Sequence, residues 1–218
     1  MARKRVAVLI SGRGSNMRAL IKAAKAKNYP ARVALVISNE PAAEGLAHAR
    51  RAGIPTLAID HRGYGKDREA FERAIQAELE RYAIDLVCLA GFMRLLTPWF
   101  VSRWSGRLLN IHPALLPAFK GLDTHARALA AGVKIHGATV HFVVPEVDSG
   151  PIIAQAAVPV SDTDTPETLA ARVLKLEHRI YPLALKLVAL GRVRIVDGRC
   201  VIAKSAPPTA ALIVPKAR

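Results

Sequence analysis

The 218-residue sequence has little cysteine and few aromatic residues. Its two cysteines are Cys88 and Cys200, and Phe, Trp and Tyr together make up 5% of the chain. Two cysteines supply neither a disulfide framework nor the ligand spacing of a structural zinc site, so we expect a protein of a reducing compartment without a bound metal. The small number of aromatic side chains argues against a surface on which nucleic-acid bases stack.

The sequence also lacks a hydrophobic run long enough to cross a membrane. No apolar run approaches the roughly 18 residues of a membrane-spanning helix, and the basic start leads into a strand pattern instead of the core of a signal peptide. We therefore expect a cytoplasmic protein with no membrane association. No repeat or linker divides the chain, which predicts one domain over residues 1–203 and a loose C-terminal tail over residues 204–218.

Acidic residues are outnumbered by basic ones. The chain contains 32 Lys and Arg against 17 Asp and Glu, a formal net charge of +15. The basic residues are spread over many predicted helices, often near acidic ones, which favours a solvated surface that attracts anionic small molecules. We therefore expect no specific nucleic-acid site, and a basic nucleic-acid-binding module is the alternative from a different functional class.

Apolar runs alternate with helical patterns along most of the chain. Residues 6–10 form one such run, and Met17, Leu20 and Ile21 follow at helical spacing. From His136 the hydrophobic period changes to two, which predicts an antiparallel pair. The sequence thus predicts an α/β protein with a Rossmann-like, mixed but mostly parallel sheet flanked by helices. In such sheets, ligands bind at the edge where the parallel strands end.

The C-terminal part of the pattern predicts a long helix and a hairpin. Thr165-Pro166 is a helix start, and the apolar stripe continues toward Leu190, with a kink expected at Pro182. Asp197-Gly198 then predicts a tight hairpin turn.

A glycine turn joins the first predicted strand to the first predicted helix. Gly14, Ser15 and Asn16 stand where the helix begins, and a helix N-terminus offers unpaired N–H groups and positive dipole charge to an anion. The turn has neither the third glycine of a dinucleotide fingerprint nor the Gly-Lys-Ser/Thr of a P-loop. It therefore favours a single phosphate, and a purely structural turn is the alternative.

A predicted buried strand ends in polar residues at Asn110 and His112, which are followed by Pro113 and Pro117. Asn offers a donor and an acceptor, and His exchanges a proton near neutral pH. This combination suits chemistry on a carbonyl group. A strand end with a solvated His is an equally weighted alternative.

Further candidates lie near other predicted strand and helix ends. Arg68, in the first turn of a helix, is either solvated or a ligand for an anion, and residues 93–96 line either a pocket or the core. Asp148, taken alone, is interpreted as a turn residue. Glu177 is either a solvated helix charge or a residue that binds a ligand. His141 either orders water or faces a packed interior.

Four stretches together resemble the phosphoribosylglycinamide formyltransferase family of folate-dependent enzymes. They are residues 10–16, 89–96, 109–117 and 177–182, in family order, and the resemblance covers residues 6–196. The His-Pro-x-Leu-Leu-Pro element is shared by several formyltetrahydrofolate enzymes, whereas the Gly-Ser-Asn turn and the Glu-His helix point to the glycinamide ribonucleotide branch. The resemblance implies the formyltransferase fold.

The activity implied by this resemblance is a step of de novo purine biosynthesis. A formyl group would pass from 10-formyltetrahydrofolate, a cosubstrate, to the amine of glycinamide ribonucleotide, with no metal and no covalent intermediate. Asn110, His112 and Asp148 would be the catalytic set. Asn110 and protonated His112 would stabilise the oxyanion, the neighbouring Asp148 would favour the charged form of His112, and Asp148 would take up the amine proton.

The resemblance also implies two groups of binding residues. Gly14, Ser15 and Asn16 would hold the substrate phosphate, and Glu177 would contact its sugar or glycinamide part. The folate would be held by Arg68, Met93, Arg94, Leu95, Leu96, Asn110, Val144, Pro145, Glu146 and Val147. Asp123 stands where some relatives carry His or Asn, so no role is carried over to it.

Two enzymatic alternatives share the folate chemistry. A methionyl-tRNA formyltransferase would need a further C-terminal domain, for which we expect no room after residue 196. A formyltetrahydrofolate hydrolase would need an N-terminal regulatory domain, which we do not expect before a strand that begins at Val6. The expected assembly is a monomer or a homodimer, and the Leu116-Pro117 bond is left as cis or trans.

Overall fold

The structure is a computed structural model that describes residues 2–203 together with residues 212 and 214. The expected loose tail therefore lies almost entirely outside the described residues. Nine strands and six α-helices occur within this part of the chain. The strands are β1 (Lys4–Ile10), β2 (Ala31–Ser38), β3 (Thr56–Ala58), β4 (Leu86–Leu89), β5 (Leu108–His112), β6 (Ile135–Phe142), β7 (Ile152–Pro159), β8 (Val193–Val196) and β9 (Arg199–Ile202). The α-helices are α1 (Ser15–Ala24), α2 (Glu44–Arg51), α3 (Arg68–Arg81), α4 (Pro98–Arg103), α5 (Thr124–Ala130) and α6 (Pro166–Ala189).

Seven strands form one mixed sheet in the order β3-β2-β1-β4-β5-β6-β7. The first five in this order are parallel to one another, whereas β6 is antiparallel to both β5 and β7. The prediction of an α/β, mostly parallel sheet with an antiparallel pair is confirmed. β8 and β9 form a separate antiparallel hairpin across Asp197 and Gly198, as predicted.

Helices cover both faces of the sheet, so its central strands are buried on both sides. Val6, Val8 and Ile10 of β1 pack in the core that includes α1, α2 and α6. Ala7 and Leu9, which alternate with them, pack in the core that includes α3 and α4. This two-sided burial explains why β1 reads as a continuous apolar run in the sequence.

The strand order reverses between β1 and β4, and their carboxyl ends are tied together. The Ser11 N–H donates to the Gly91 carbonyl oxygen at 3.0 Å. The Met93 N–H donates to Ser11 Oγ at 2.7 Å. On the other side, the Tyr181 hydroxyl of α6 lies 2.9 Å from the Leu89 carbonyl oxygen and 3.1 Å from that of Leu109. The ends of β1, β4 and β5 therefore form one edge, at the crevice where open α/β sheets bind ligands.

Four local features differ from, or complete, the sequence predictions. α4 and a 3₁₀ turn (His61–Tyr64) were not predicted. α6 continues through Pro182 to Ala189, and the Leu116-Pro117 peptide bond is cis. None of the helices in the described part combines the length and hydropathy that a membrane crossing requires.

The close approach of Gly150 to β6 gives a stability prediction. A Cβ at Gly150 would lie 1.8 Å from the Phe142 carbonyl oxygen, so Gly150→Ala forces the loop after β6 away from the strand. We expect the free energy of unfolding, measured by urea denaturation, to fall by about 3 kcal/mol.

Gly63→Ala is the matched control, because no atom lies within 4 Å of the added methyl group and Gly63 has no positive φ. Equal stability of the two variants would contradict the assigned cause.

Candidate active site

The polar end of β5 faces His141 of the antiparallel strand β6. Asn110 and His112 alternate with Ile111, so both side chains project to the same face of β5. The register pairs Asn110 with His141 and His112 with Thr139. Asn110 is half-buried, and His112 is only 4% exposed. The solvated-His alternative is therefore wrong.

Asp148 reaches the same place from the loop between β6 and β7. Its backbone is left-handed, with a φ of 49°, and its side chain is 10% exposed. Oδ2 accepts a hydrogen bond from the Gly121 N–H at 2.9 Å and lies 3.2 Å from His112 Nδ1, while Oδ1 lies 3.7 Å from His141 Nε2. Asp148 is thus more than a solvated turn residue, because its carboxylate joins side chains from β5 and β6.

Burial lowers the pKa of His112 below its usual value. The Phe119 carbonyl, 2.9 Å from Nε2, and the charge of Asp148 both act in the opposite direction but are outweighed. Asp148 favours the charged form of His112, as expected, but the burial of the ring, which the sequence did not reveal, has the larger effect.

Asp148 is ionised at neutral pH. Burial by itself would raise its pKa, but hydrogen bonds from His141 and the Gly121 N–H, together with the charge interactions with His112 and His141, lower it below the usual range. The pair of His112 and Asp148 therefore combines a neutral imidazole with a carboxylate that can accept a proton.

His141 holds the amide of Asn110. Its Nδ1 lies 2.8 Å from the Phe142 carbonyl oxygen, which can only accept, so a hydrogen on Nδ1 completes this bond. Nε2 faces both Asn110 Nδ2, at 3.3 Å, and Asp148 Oδ1, at 3.7 Å. Because Nδ2 carries two hydrogens, one remains for a ligand. Sequence reasoning left the role of His141 open, and the structure places it in contact with both Asn110 and Asp148.

A pocket of about 350 Å³ opens beside these side chains. It is lined by Asn110, Asp148 and most of the residues that the resemblance assigned to folate, namely Arg68, Arg94, Leu95, Leu96, Val144, Pro145 and Val147. Met93 and Glu146 lie outside this lining. Met93 is 66% exposed, and Glu146 Oε1 lies 3.4 Å from Lys120 Nζ.

Other lining residues were missed by sequence reasoning. They are Leu89, Phe92, Pro98, Val101 and Val143, and His141, whose role the sequence left open, lines the pocket as well. Pro98 and Val101 belong to α4, whose start at Thr97-Pro98 carries the same signal as Thr165-Pro166. That signal was available in the sequence, whereas nothing in the sequence separates Leu89 from other buried strand residues.

The glycine turn forms the other side of the crevice. Gly14 is the left-handed N-cap residue of α1, with a φ of 69° and no side-chain cap, so the first N–H groups of α1 are open to an anion. A Cβ at Gly14 would lie 3.1 Å from the Gly45 Cα, a further reason for glycine at this position. The turn follows β1, two strand positions from β5, or about 10 Å.

Asn16 and Glu177 meet beside this turn. Asn16 Nδ2 donates to Glu177 Oε2 at 2.6 Å, and Glu177 is 7% exposed. Burial raises the pKa of Glu177, although the bond from Asn16 acts against it. The Oδ1 atom of Asn16 is buried and has no partner among the described residues. The interpretation of Glu177 as a solvated helix charge is therefore wrong. The Oδ1 atom of Asn16 beside it can accept a hydrogen bond from a ligand.

The residues that the structure describes contain no cluster of three or more His, Cys, Asp or Glu side chains that could hold a metal ion.

Comparison with known proteins gives consistent matches. Residues 4–185 match the model of the family described as Formyl transferase. Phosphoribosylglycinamide formyltransferase of Escherichia coli is 48% identical over 87% of this chain and 89% of its own length. Glycinamide ribonucleotide transformylase 1 from Symbiobacterium toebii has a similar structure, with a TM-score of 0.89, 49% identity and coverage of 92% of this chain and 94% of that one.

A longer relative matches over only part of its length. The trifunctional purine biosynthetic protein adenosine-3 of Gallus gallus is 53% identical over 88% of this chain, which spans 19% of that protein. The chain therefore corresponds to about a fifth of a multifunctional protein in one case, and to nearly the whole protein in Escherichia coli.

Two further histidines lie near His112, one buried (His136) and one half-buried (His125). His136 is 1% exposed, and its ring centre lies 5.2 Å from that of His125 and 5.8 Å from that of Phe119. Burial, followed by the charge of His125, lowers the pKa of His136 to about 4.

This shift predicts a loss of stability in acid. The unfolded chain binds the His136 proton near pH 6.5, whereas the folded protein resists it down to about pH 4. The contribution of neutral His136 to the free energy of unfolding is therefore fully present above about pH 6.5. It falls by about 3 kcal/mol as the pH drops from the unfolded to the folded pKa of this residue. Urea unfolding of the protein and of His136→Gln between pH 7 and pH 4.5 measures the slope.

The His136→Gln variant should show a shallower pH dependence than the parent, and His48→Gln, which removes a half-exposed imidazole, should keep the parental slope. An unchanged slope in His136→Gln would contradict the assignment.

Proposed function

The chain belongs to the formyl transferase family, and from that membership we propose that it transfers the formyl group of 10-formyltetrahydrofolate to the amine of glycinamide ribonucleotide. One observation carries the proposal. Asn110 and Asp148 line a pocket of about 350 Å³, His112 lies 3.2 Å from Asp148 behind this lining, and an anion-binding turn follows β1 at the same edge of the sheet. A formyl donor and a phosphorylated amine can therefore meet at these three side chains.

The first step forms a bond between the amine nitrogen and the formyl carbon. Negative charge then develops on the formyl oxygen, and the remaining N–H of Asn110 Nδ2 is positioned as a donor to it. A donor of this kind contributes about 3 kcal/mol to transition-state stabilisation. A protonated His112 contributes positive charge beside the oxyanion, while its Nε2–H donates to the Phe119 carbonyl oxygen and its Nδ1–H to Asp148.

Asp148 and His112 together take up the proton of the attacking amine and release it to the folate. The attacking amine loses a proton to this pair, directly or through water, which converts the neutral His112 into an imidazolium beside the oxyanion. When the bond between the formyl carbon and N10 of the folate breaks, the proton passes to N10. The lowered pKa of His112 suits a group that carries a proton only during the reaction.

The two ends of the crevice hold the two substrates in this proposal. Apolar lining residues such as Leu96 and Val144 pack against the flat pterin, and Arg68 and Arg94 attract the carboxylates of the folate tail. Met93 and Glu146 then contribute only at the rim. The turn of Gly14, Ser15 and Asn16 holds the phosphate, and Glu177 with Asn16 Oδ1 accepts hydrogen bonds from the ribosyl glycinamide part.

We further propose a cytoplasmic protein that acts as a monomer or homodimer on small molecules, without a metal or a specific nucleic-acid partner. The free thiols of Cys88 and Cys200 are compatible with a reducing compartment.

The activity is tested by incubation with both substrates while the absorbance change of the folate is followed. Formation of tetrahydrofolate that depends on glycinamide ribonucleotide supports the proposal. Equal folate turnover without the amine would identify a hydrolase, and no turnover would refute the proposed reaction.

We expect His112→Ala and Asp148→Asn each to lower kcat by about 10²–10³-fold, because each removes part of the proton-transferring pair. Steady-state kinetics measure the loss, and circular dichroism checks the fold. Exposed Glu80→Gln, on the outer surface of α3, is the matched carboxylate control and should retain parental kcat. Parental turnover by folded His112→Ala would remove His112 from the mechanism.

A second prediction concerns the phosphate turn. The double replacement Ser15→Ala with Asn16→Ala should raise KM for glycinamide ribonucleotide about tenfold, because the side chains that border the phosphate and Glu177 are lost. KM for the formyl folate serves as the internal control. An unchanged KM for the phosphorylated substrate would place its phosphate elsewhere.

A further inference from the structure

A broad groove, which we call the α1 groove, runs along the outer face of α1 between α2 and α6. Its volume is about 1000 Å³, and none of Asn110, His112 and Asp148 lines it. One end is formed by Ser15, at the phosphate turn, and the other lining residues are Arg18, Ala19, Ile21, Lys22, Ala23, Lys25, Ala26, His48, Arg51, Ala52, His178 and Pro182. The α1 groove therefore begins at the proposed phosphate site and leads away from it over the surface.

All the acidic or basic side chains that line the α1 groove are basic. Arg18, Lys22, Lys25 and Arg51 line it, and the lining contains no Asp or Glu. Arg18, Lys22 and Lys25 are exposed, and the part of the chain that the structure describes provides none of them with an ion pair or a side-chain hydrogen bond. These charges are therefore available to a ligand, unlike those of Arg62, Arg73 and Arg172, which pair with carboxylates.

A phosphate at the Gly14 turn needs such charge. A phosphate monoester carries about −1.5 to −2 charges near pH 7, whereas a helix N-terminus offers about half a positive charge. Glu177, the nearest carboxyl group on α6, adds no positive charge. Arg18 lies one helical turn beyond Ser15 on the same face of α1, and both residues line the groove.

Two polar atoms without partners in the described part of the chain belong to a residue of the groove lining, His178, and to Asn16, which follows the lining residue Ser15 in α1. Asn16, 8% exposed, has a buried Oδ1 without a partner, and Nε2 of His178 is likewise buried without a partner among the described residues. His178 follows Glu177 on α6 and lines the groove together with Arg18. The turn and the groove therefore share a border of incompletely bonded polar groups, which is typical of a ligand site.

We propose that the α1 groove captures the phosphorylated substrate, with Arg18 binding the phosphate at the Gly14 turn and the other cations attracting it from solution. This inference rests on the proposed function, since it concerns the substrate of that site. Lys22, Lys25 and Arg51 raise the local concentration of the anion, an effect that weakens as salt is added. Nucleic acid is less well suited to the groove, because the lining contains no Phe, Tyr or Trp on which bases stack.

The test compares Arg18→Gln with the parent protein, using glycinamide ribonucleotide and its dephosphorylated riboside as amine substrates. We expect KM for the phosphorylated substrate to rise about tenfold in Arg18→Gln, because one charge-assisted contact is lost. The KM for the riboside should not change, and the salt dependence of kcat/KM for the ribonucleotide should be weaker than in the parent. Arg32→Gln, which removes an exposed cation at the opposite end of the sheet, is the matched charge control.

Three results would overturn the proposal. They are an unchanged KM in Arg18→Gln, an equal loss with the riboside, or an equal loss in Arg32→Gln. Parental substrate kinetics in Arg18→Gln, combined with loss of salt-sensitive binding to single-stranded RNA or to an acidic peptide, would instead assign the groove to that macromolecule. If the parent transfers no formyl group, the proposed function fails, and calorimetric binding of glycinamide ribonucleotide to the parent and to Arg18→Gln still tests the groove.

Discussion

The buried carboxylate of Asp148 is the constraint on which the arrangement of the site depends. An ionised group in this position is costly unless polar groups surround its oxygens. The Gly121 N–H, in the loop before α5, donates to Oδ2, and ring nitrogens of His112 on β5 and His141 on β6 lie 3.2 Å and 3.7 Å from the carboxylate. The same loops are joined at their surface by Lys120 Nζ, 2.6 Å from Ser149 Oγ. The groups proposed to carry out the chemistry are therefore also the groups that hold these loops against the sheet.

The sheet could be predicted because strands that are buried on both faces are recognisable in the sequence as runs of apolar residues. β1 and β4 are buried on both faces and read as uninterrupted apolar runs, and the change of period at His136 revealed the antiparallel strand β6. α4 was missed because a helix of six residues shows hardly two turns of periodicity, although its start at Thr97-Pro98 was readable. Local patterns therefore predict long elements better than short ones.

The sequence identified the side chains of the site but did not reveal their protonation states. The positions of Asn110 and His112 follow from the end of β5, and the meeting of Asp148 with them was implied by the family resemblance. The charge of His112 was not predictable, because it depends on how much of the protein covers the ring. For the same reason, no pattern in the sequence distinguished His141, which contacts the site, from a histidine that is simply enclosed by the core.

Helix α6 connects the two sides of the crevice. Its Tyr181 hydroxyl bridges carbonyl oxygens of β4 and β5, and one turn earlier Glu177 binds Asn16, a residue 161 positions away in the chain. During synthesis on the ribosome, the amino-terminal strands emerge long before this helix does. The nascent chain can therefore build most of the sheet before α6 is made, and the pairing of Asn16 with Glu177 forms only after this helix has been synthesised.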